Sequence, residues 1–405
     1  MCSTLRKTLP ALLIGLALPT TVRAQDPGID AAVERIVEEI IELRHQIHQN
    51  PELGNREFMT ATLVAEHLRG LGFDEVIVDV AHTGVVGILR GGLPGDTVAV
   101  RADMDALPVT EDTPYSFAST VRTDYLGQEV GVMHACGHDV HTAVQLGVAS
   151  VLASMRSEIP GVVKFIFQPA EEGPPPGEEG GADLMVQEGV LENPRPSAIF
   201  GLHTLAQMGV GTLGYTPGPA LAAVDHFVIR IIGQQSHGAY PELGVDPVVM
   251  ASQAVMALQT IRSRNLPPLE PSVITVGIMR GGTRFNIIPD EMWLEGTVRT
   301  YSPDVRNMVE RRMDEILAGI TAASGGSYEL DYDRLIPATI NDRALTERMA
   351  PTLSRVMGVE NVEVLDPVMG GEDFAYFANE IPGFFFRLGM VAPGVESGGH
   401  HTPTF

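Results

Sequence analysis

Val162-Val163-Lys164-Phe165-Ile166-Phe167 runs directly into Gln168-Pro169-Ala170-Glu171-Glu172-Gly173, so a strand-like run ends in two adjacent carboxylates. A short β-branched and aromatic run that stops at a Pro/Gly-containing turn reads as a buried strand. It follows a helical pattern over 139–155 and short β-branched runs at 76–80, 85–89 and 98–100. Strands alternating with helices predict an α/β sheet with parallel members. In such sheets reactive groups collect where strands end at their carboxyl edge. Asp103 and Asp105 follow 98–100, Glu171 and Glu172 follow 162–167, and His203 follows the apolar stretch 198–200. Two helices precede the sheet, over 29–49 and 56–71, broken by Asn50-Pro51 and Gly70-Leu71-Gly72.

From about residue 222 the texture changes. Strand patterns at 226–232, 272–279, 292–300 and 328–335 alternate with helical patterns at 247–262 and 304–322. This β-α-β-β-α-β order predicts a split, ferredoxin-like unit of one small domain. A helix at 343–357 and an apolar strand at 383–388 then rejoin the first sheet. The expected organisation is therefore a discontinuous domain of residues 25–221 and 337–405, interrupted by an inserted domain of residues 222–336. A chain of 405 residues suits two domains.

Composition removes several function classes. The chain carries 27 Lys and Arg against 51 Asp and Glu, a net charge of −24, and Lys7 and Lys164 are its only lysines. Nucleic-acid binding needs clustered cations that this chain lacks. Arg6 and Lys7, the apolar stretch 9–18 and Val22-Arg23-Ala24 match the three regions of a secretory signal peptide, so residues 1–24 are expected to be removed. The expected destination is the periplasm or the exterior, with no membrane contact after cleavage. Cys2 leaves with the signal, making Cys136 the sole remaining thiol. A lone thiol in an oxidising compartment is kept by burial or by metal ligation.

The densest cluster is His134-Ala135-Cys136-Gly137-His138-Asp139-Val140-His141. A thiolate and an imidazole two residues apart, where a loop enters a helix, can serve one metal or two adjacent metals, and a thiolate can bridge a pair. At Glu171-Glu172 one carboxylate can bind metal while its neighbour stays free to accept a proton from water. With His203 and His401, the set Cys136, His138, Glu172, His203 and His401 offers five ligands for two metals. H-E-x-x-H, G-x-S-x-G and Walker A patterns are absent. Residues 209–214 match G-x-G-x-x-G, but Pro217 and Pro219 stand where a dinucleotide fingerprint needs a helix.

Six runs together resemble metallopeptidase family twenty, and within it the amidohydrolase branch of hippurate hydrolase, N-acyl-amino-acid amidohydrolases and indole-acetyl-amino-acid hydrolases. They are Arg44-His45-Gln46-Ile47-His48-Gln49-Asn50-Pro51-Glu52-Leu53-Gly54, Arg101-Ala102-Asp103-Met104-Asp105-Ala106-Leu107-Pro108, the His134 to His141 run, Gln168 to Gly173, Gly201-Leu202-His203 and Gly370-Gly371-Glu372-Asp373-Phe374. The resemblance implies a zinc-peptidase-like α/β catalytic domain whose insertion is a ferredoxin-like dimerisation lid, so a homodimer through 222–336. It implies a binuclear centre on Cys136, His138, Glu172, His203 and, from its place before Thr402-Pro403, His401 rather than His400. Glu171 becomes the general base. His237 in Ser236-His237-Gly238-Ala239 becomes the group that polarises the scissile carbonyl, often supplied by the partner subunit. Asn286 and Arg299 take the substrate carboxylate, Gly371 lines the pocket, and Asp105 orients a ligand.

The implied cofactors are two divalent ions, zinc or manganese, with cobalt and nickel also compatible with the donors. The implied substrate is an N-acyl amino acid, cleaved to a carboxylic acid and a free amino acid. A dipeptidase or carboxypeptidase of the same family is the alternative among enzymes. A non-catalytic metal-containing binding protein is another, but it would have no need of a free base beside the metal. One departure bears on substrate choice: residues 173–181 form a longer stretch than the common A-E-E-G-G-A version, next to the catalytic pair.

Overall fold

Strand Pro160–Gln168 is covered on both faces, which explains its nearly continuous apolar sequence. Val163, Phe165 and Phe167 pack with Val64 and Leu68 of helix Phe58–Gly70 and with Leu146 and Ala149 of helix His138–Ser154. Ile166 faces the other way, among Met185, Phe377 and Ile381. Each such side chain taken wholly out of water contributes about 1.5–3 kcal/mol. Lys164, on a buried position of this strand, donates to the carbonyls of Val190 at 2.8 Å and Glu192 at 2.6 Å, and burial lowers its pKa to about 8.

The computed structural model describes residues 27–405, so the leader read at residues 1–24 lies outside the described residues. The main sheet has eight strands in the order Glu75–Val80, Gly84–Arg90, Pro160–Gln168, Leu93–Asp103, Ile199–Gly209, Gly383–Val391, Leu213–Tyr215 and Val362–Val364. Its four central strands run parallel, and antiparallel neighbours flank them. The sheet is thus mixed α/β with helices on both faces. Strand Gly383–Val391 joins it beside Ile199–Gly209, as the sequence pattern predicts.

A separate four-stranded antiparallel sheet has the order Ser272–Gly281, Glu291–Thr300, Ala223–Ile232, Ser327–Ile336. Helices Pro247–Thr260 and Pro303–Ser324 pack Met250, Leu258, Val309 and Met313 against Phe227, Ile229 and Leu294 of the sheet. Asp246 caps the first helix by accepting from the Val248 and Val249 amides, and Pro247 occupies its first turn. The chain enters and leaves this unit through a short ribbon in which Gly218–Leu221 pairs with Thr339–Asn341. Asn341 pins the ribbon to the main sheet, donating to the carbonyls of Thr216 and Phe385, each at 2.8 Å, and accepting from the Phe385 amide at 2.6 Å.

Several elements differ from the sequence reading. The hairpin Arg122–Tyr125/Gln128–Gly131 and the edge strands Leu213–Tyr215 and Val362–Val364 are too short, and the hairpin too polar, to show a strand pattern. His203 does not follow a strand; it lies inside Ile199–Gly209. Pairing to Leu93–Asp103 nevertheless stops at Gly201, so His203 stands beyond the end of its neighbour on that side.

Candidate binuclear metal centre

Between Cys136 and His138 the backbone must turn sharply from a loop into helix His138–Ser154. Gly137 does this at φ +90°, where a Cβ would lie 2.2 Å from the Thr204 hydroxyl, so both handedness and space demand glycine. His138 is then held by Asp105, whose Oδ1 is 3.2 Å from Nδ1. The same carboxylate accepts the backbone N–H groups of Glu171 and Glu172, each at 3.0 Å. Asp105 therefore sets the angle of one imidazole and the position of both glutamates. The turn that carries them is strained: Ala170 adopts φ +50°, held by its amide donating to Glu57 Oε1 at 2.9 Å.

His138 Nε2 is buried and has no hydrogen-bond partner. It lies 3.8 Å from Glu171 Oε2 and 4.0 Å from Glu172 Oε1, too far for hydrogen bonds. Such separations suit donors gathered around a shared cation with bonds of about 2 Å. Cys136 Sγ lies 3.4 Å from His203 Nε2. His203 Nδ1 donates to the Thr204 carbonyl at 2.6 Å, which leaves the Nε2 lone pair facing the thiol. Cys136, Glu172 and His401 form a further group with ligand atoms within 4.8 Å of one another. The five ligands expected from sequence are thus in one place, with Cys136 common to two groups. This sulfur, nitrogen and oxygen donor set fits a pair of divalent cations.

His400 has a different use. Its Nε2 accepts from the Ala206 amide at 3.2 Å, so Nδ1 carries the proton and points it at Cys136 Sγ, 3.6 Å away. It supports the sulfur. His401 reaches Glu172 at 3.0 Å from a backbone held at φ +63°.

The electrostatics follow from crowding. Burial, then Glu372 and Glu172, raise the Glu171 pKa well above the carboxylate range. Burial drives His203 well below the usual imidazole value. Burial opposes charge on His138 as well, but Asp103 and Asp105 hold it well above that value. Burial pushes the Cys136 thiol up, and contact with Cys136 and Glu172 pushes His401 up to about 10. Without cations, His401 and Cys136 are therefore protonated at neutral pH, and metal loading must displace those protons. Adding zinc or manganese to chelator-stripped protein at pH 7 in weak buffer is expected to release about one proton or more per molecule. Loading should weaken as pH falls. Stoichiometric binding with no proton release would overturn the donor assignment.

A cavity of about 590 Å³ opens over the centre, with Glu171, Glu172 and His401 on one side and Val224, Arg299 and Gly371 on the other. Arg299 has one hydrogen bond, Nε to Thr297 Oγ1 at 3.1 Å, and no ion pair among the described residues. Its terminal nitrogens remain free for an incoming carboxylate. His237 and Asn286 are not brought here. They lie together on the two-stranded sheet Ser236–His237/Ile287–Ile288 and its flank, where the Gly238 amide donates to the Asn286 carbonyl at 2.9 Å, and neither lines the cavity.

The sequence profile of Peptidase family M20/M25/M40 matches residues 99–404, from the central strand to the last histidines. The chain belongs to this family. Family relatives include N-acetyl-L-cysteine deacetylase of Bacillus subtilis (strain 168), 38% identical over 353 residues that make up 87% of this chain and 80% of the relative. Thermostable carboxypeptidase 2 of Saccharolobus solfataricus is 38% identical over 358 residues, 88% of this chain and 87% of the relative. Among solved structures, the YXEP protein of Bacillus subtilis, described as a dinuclear metal binding peptidase of the family, superposes with a TM-score of 0.76 at 34% identity, covering 93% of both chains.

Around these donors stand further charged groups, of which sequence reasoning singled out only Asp103. Arg101 is fully buried, bonded to Gln168 at 2.8 Å, Asp103 at 2.7 Å and Asp373 at 2.9 Å, with Glu372 at 3.0 Å. Asp103 in turn holds His141 Nδ1 at 2.6 Å, and His141 Nε2 accepts the Thr204 amide at 2.8 Å. Arg387 sits in register with His203, and its charge helps keep His203 and His400 neutral. Glu57 is buried beside Thr83 and Asp105, its pKa pushed up to about 8. The runs R-A-D-M-D and G-G-E-D-F contained the first of these, but nothing in them says that Arg101 and Asp373 meet.

Proposed function

We propose that this protein hydrolyses the amide bond of N-acyl amino acids, releasing a carboxylic acid and a free amino acid. The observation that carries the reading is the pairing of Glu171, a carboxyl held beside the ligand Glu172, with the unpaired Arg299 across one cavity. The deacetylase activity named for the B. subtilis relative supports it.

When bound, the two cations would polarise the scissile carbonyl and make the attacking water more acidic. Zinc or manganese is our proposal for the pair. Cys136, His138, Glu172, His203 and His401 would hold them. Glu171 takes the proton of the attacking water at its carboxylate and returns it to the nitrogen of the leaving amine. Its crowded surroundings favour the protonated form, which suits the second transfer. Arg299 orients the substrate by its carboxylate through a planar, bidentate fork. Arg299→Ala is expected to raise KM about tenfold or more for substrates with a free carboxylate and far less for their amides. Equal losses on both would remove the clamp.

His237 and Asn286, exposed or half-buried on the inserted unit and away from the cavity of their own chain, suit a site completed by a second subunit. We propose a homodimer through residues 222–336 in which His237 polarises the carbonyl in the partner's site. Mixing inactive His237→Ala and Glu171→Gln proteins should then restore activity through mixed dimers; no recovery after subunit exchange would mean that His237 serves its own chain. Export to the periplasm or exterior is likewise proposed.

A peptide substrate is the second reading, kept by the carboxypeptidase name of the archaeal relative. The test is amino-acid release by metal-loaded protein from N-acetyl and N-benzoyl amino acids alongside dipeptides, with Glu171→Gln as blank. Release from acylated substrates alone supports the proposal, and release from dipeptides alone moves the activity to the peptidase side.

A further inference from the structure

A second cavity, of about 470 Å³, lies against the same centre and meets the first at Glu172 and Gly173. Asp105, the residue that sets His138 and both glutamates, is part of its wall. The two cavities therefore adjoin at the two residues that directly follow Glu171. One contains Arg299 and accounts for the amino-acid carboxylate; the other has no part in that contact.

We propose that this second cavity is the acyl subsite, and that it selects an uncharged, apolar acyl group larger than acetyl. The inference rests on the proposed amidohydrolase function and deepens it by naming the acyl class. Its walls come from separate elements. Leu53 and Met59 belong to the entry to helix Phe58–Gly70, and Leu107 to the segment after strand Leu93–Asp103. Val121 precedes the hairpin that carries Tyr125, and Pro175 belongs to the loop after the catalytic glutamates. That loop is the extended stretch seen in the sequence. It is pinned as a wall because Arg56 binds Glu178 at 2.5 and 3.1 Å, while Asn55 Nδ2 donates to Glu178 at 3.1 Å and to the Glu179 carbonyl at 3.0 Å.

The charged groups around this cavity are already engaged. Glu52 accepts from the Met59 and Thr60 amides at 3.0 and 2.9 Å, Arg122 binds Glu129 at 2.6 Å, and Asp124 accepts from the Gly127 amide at 3.2 Å. Arg56 is bound to Glu178, both oxygens of Asp105 are taken, and Glu172 is paired with His401 at 3.0 Å. No cation is left over to recognise a carboxylate at the far end of an acyl chain, nor an acid to recognise a free ammonium. Selection must come from burial, at about fourfold per methylene removed from water. Cavities of several hundred Å³ suit ring-sized ligands, and an acetyl methyl would leave this one mostly filled with water.

The test uses the metal-loaded protein and N-acetyl, N-benzoyl, N-octanoyl and N-succinyl derivatives of one amino acid, with a dipeptide alongside. Benzoyl and octanoyl substrates are expected to exceed acetyl by roughly tenfold or more in kcat/KM, mainly through KM, with succinyl the poorest. Val121→Trp and Met59→Trp fill the cavity from two unrelated walls. Each should lower the benzoyl-to-acetyl ratio by about tenfold, and binding of the same compounds to the Glu171→Gln protein should show the same order without turnover. Acetyl hydrolysed as well as benzoyl, or a ratio unmoved in both tryptophan variants with fold and metal content intact, overturns the subsite while leaving the amidohydrolase reading in place. Cleavage of the dipeptide with none of the acylated compounds overturns both.

Discussion

Glu171→Gln protein is expected to retain its metals and lose about a hundred- to ten-thousandfold in kcat, the usual span for removing a positioned general acid–base. The amide keeps the size of the side chain but can neither accept a proton from water nor hand one to the leaving amine. Glu172 cannot take over, because its carboxylate is committed to the group formed with Cys136 and His401. Metal content by elemental analysis and kcat on an N-acyl amino acid check the two halves of this expectation together. A near-normal rate would assign the base elsewhere, and a low rate with metal lost would make Glu171 a ligand.

Removing Asp105 should be nearly as damaging by a different route. Asp105→Ala leaves His138 Nδ1 without its acceptor and strands the amides of Glu171 and Glu172. Loss of a carboxylate behind a ligating histidine typically costs 10–100-fold in metal affinity, so roughly that loss is expected here. The two stranded amides add about 1–3 kcal/mol each of lost stability unless water reaches them. Competition with a chelator and thermal melts separate the effects. Affinity within about twofold of wild type, against that 10–100-fold norm, would show that His138 is held by its own helix and not by Asp105.

Much of this was readable along the chain. The run 162–167 announced a strand buried on both faces, and the carboxylates after it sit where that strand ends. The β-α-β-β-α-β pattern announced the four-stranded sheet, because each of its elements is long enough to show its own period. Hairpin Arg122–Tyr125/Gln128–Gly131 stayed hidden, since four polar residues per strand carry no alternation, yet this hairpin helps enclose the second cavity. His400 was read past for a related reason. Its neighbour His401 has the motif position, while the role of His400 depends on the Ala206 amide, 194 residues earlier.

Order of elements, donor chemistry and acidity are properties of short stretches, and the chain specifies them wherever it is read. Cys136, His138, Glu171 and Glu172 could therefore be named as chemistry before any coordinate. Which of these groups meet is another matter. Cys136 finds His203 across 67 residues because the turn into helix His138–Ser154 is fastened to strand Ile199–Gly209, with Thr204 Oγ1 donating to the Cys136 carbonyl at 3.1 Å. Arg299 reaches the cleft, and His237 and Asn286 do not, because one ribbon fixes how the inserted sheet leaves the main one. Strand neighbours and crossing points are chosen by the packing of the whole chain, and no local spacing encodes them.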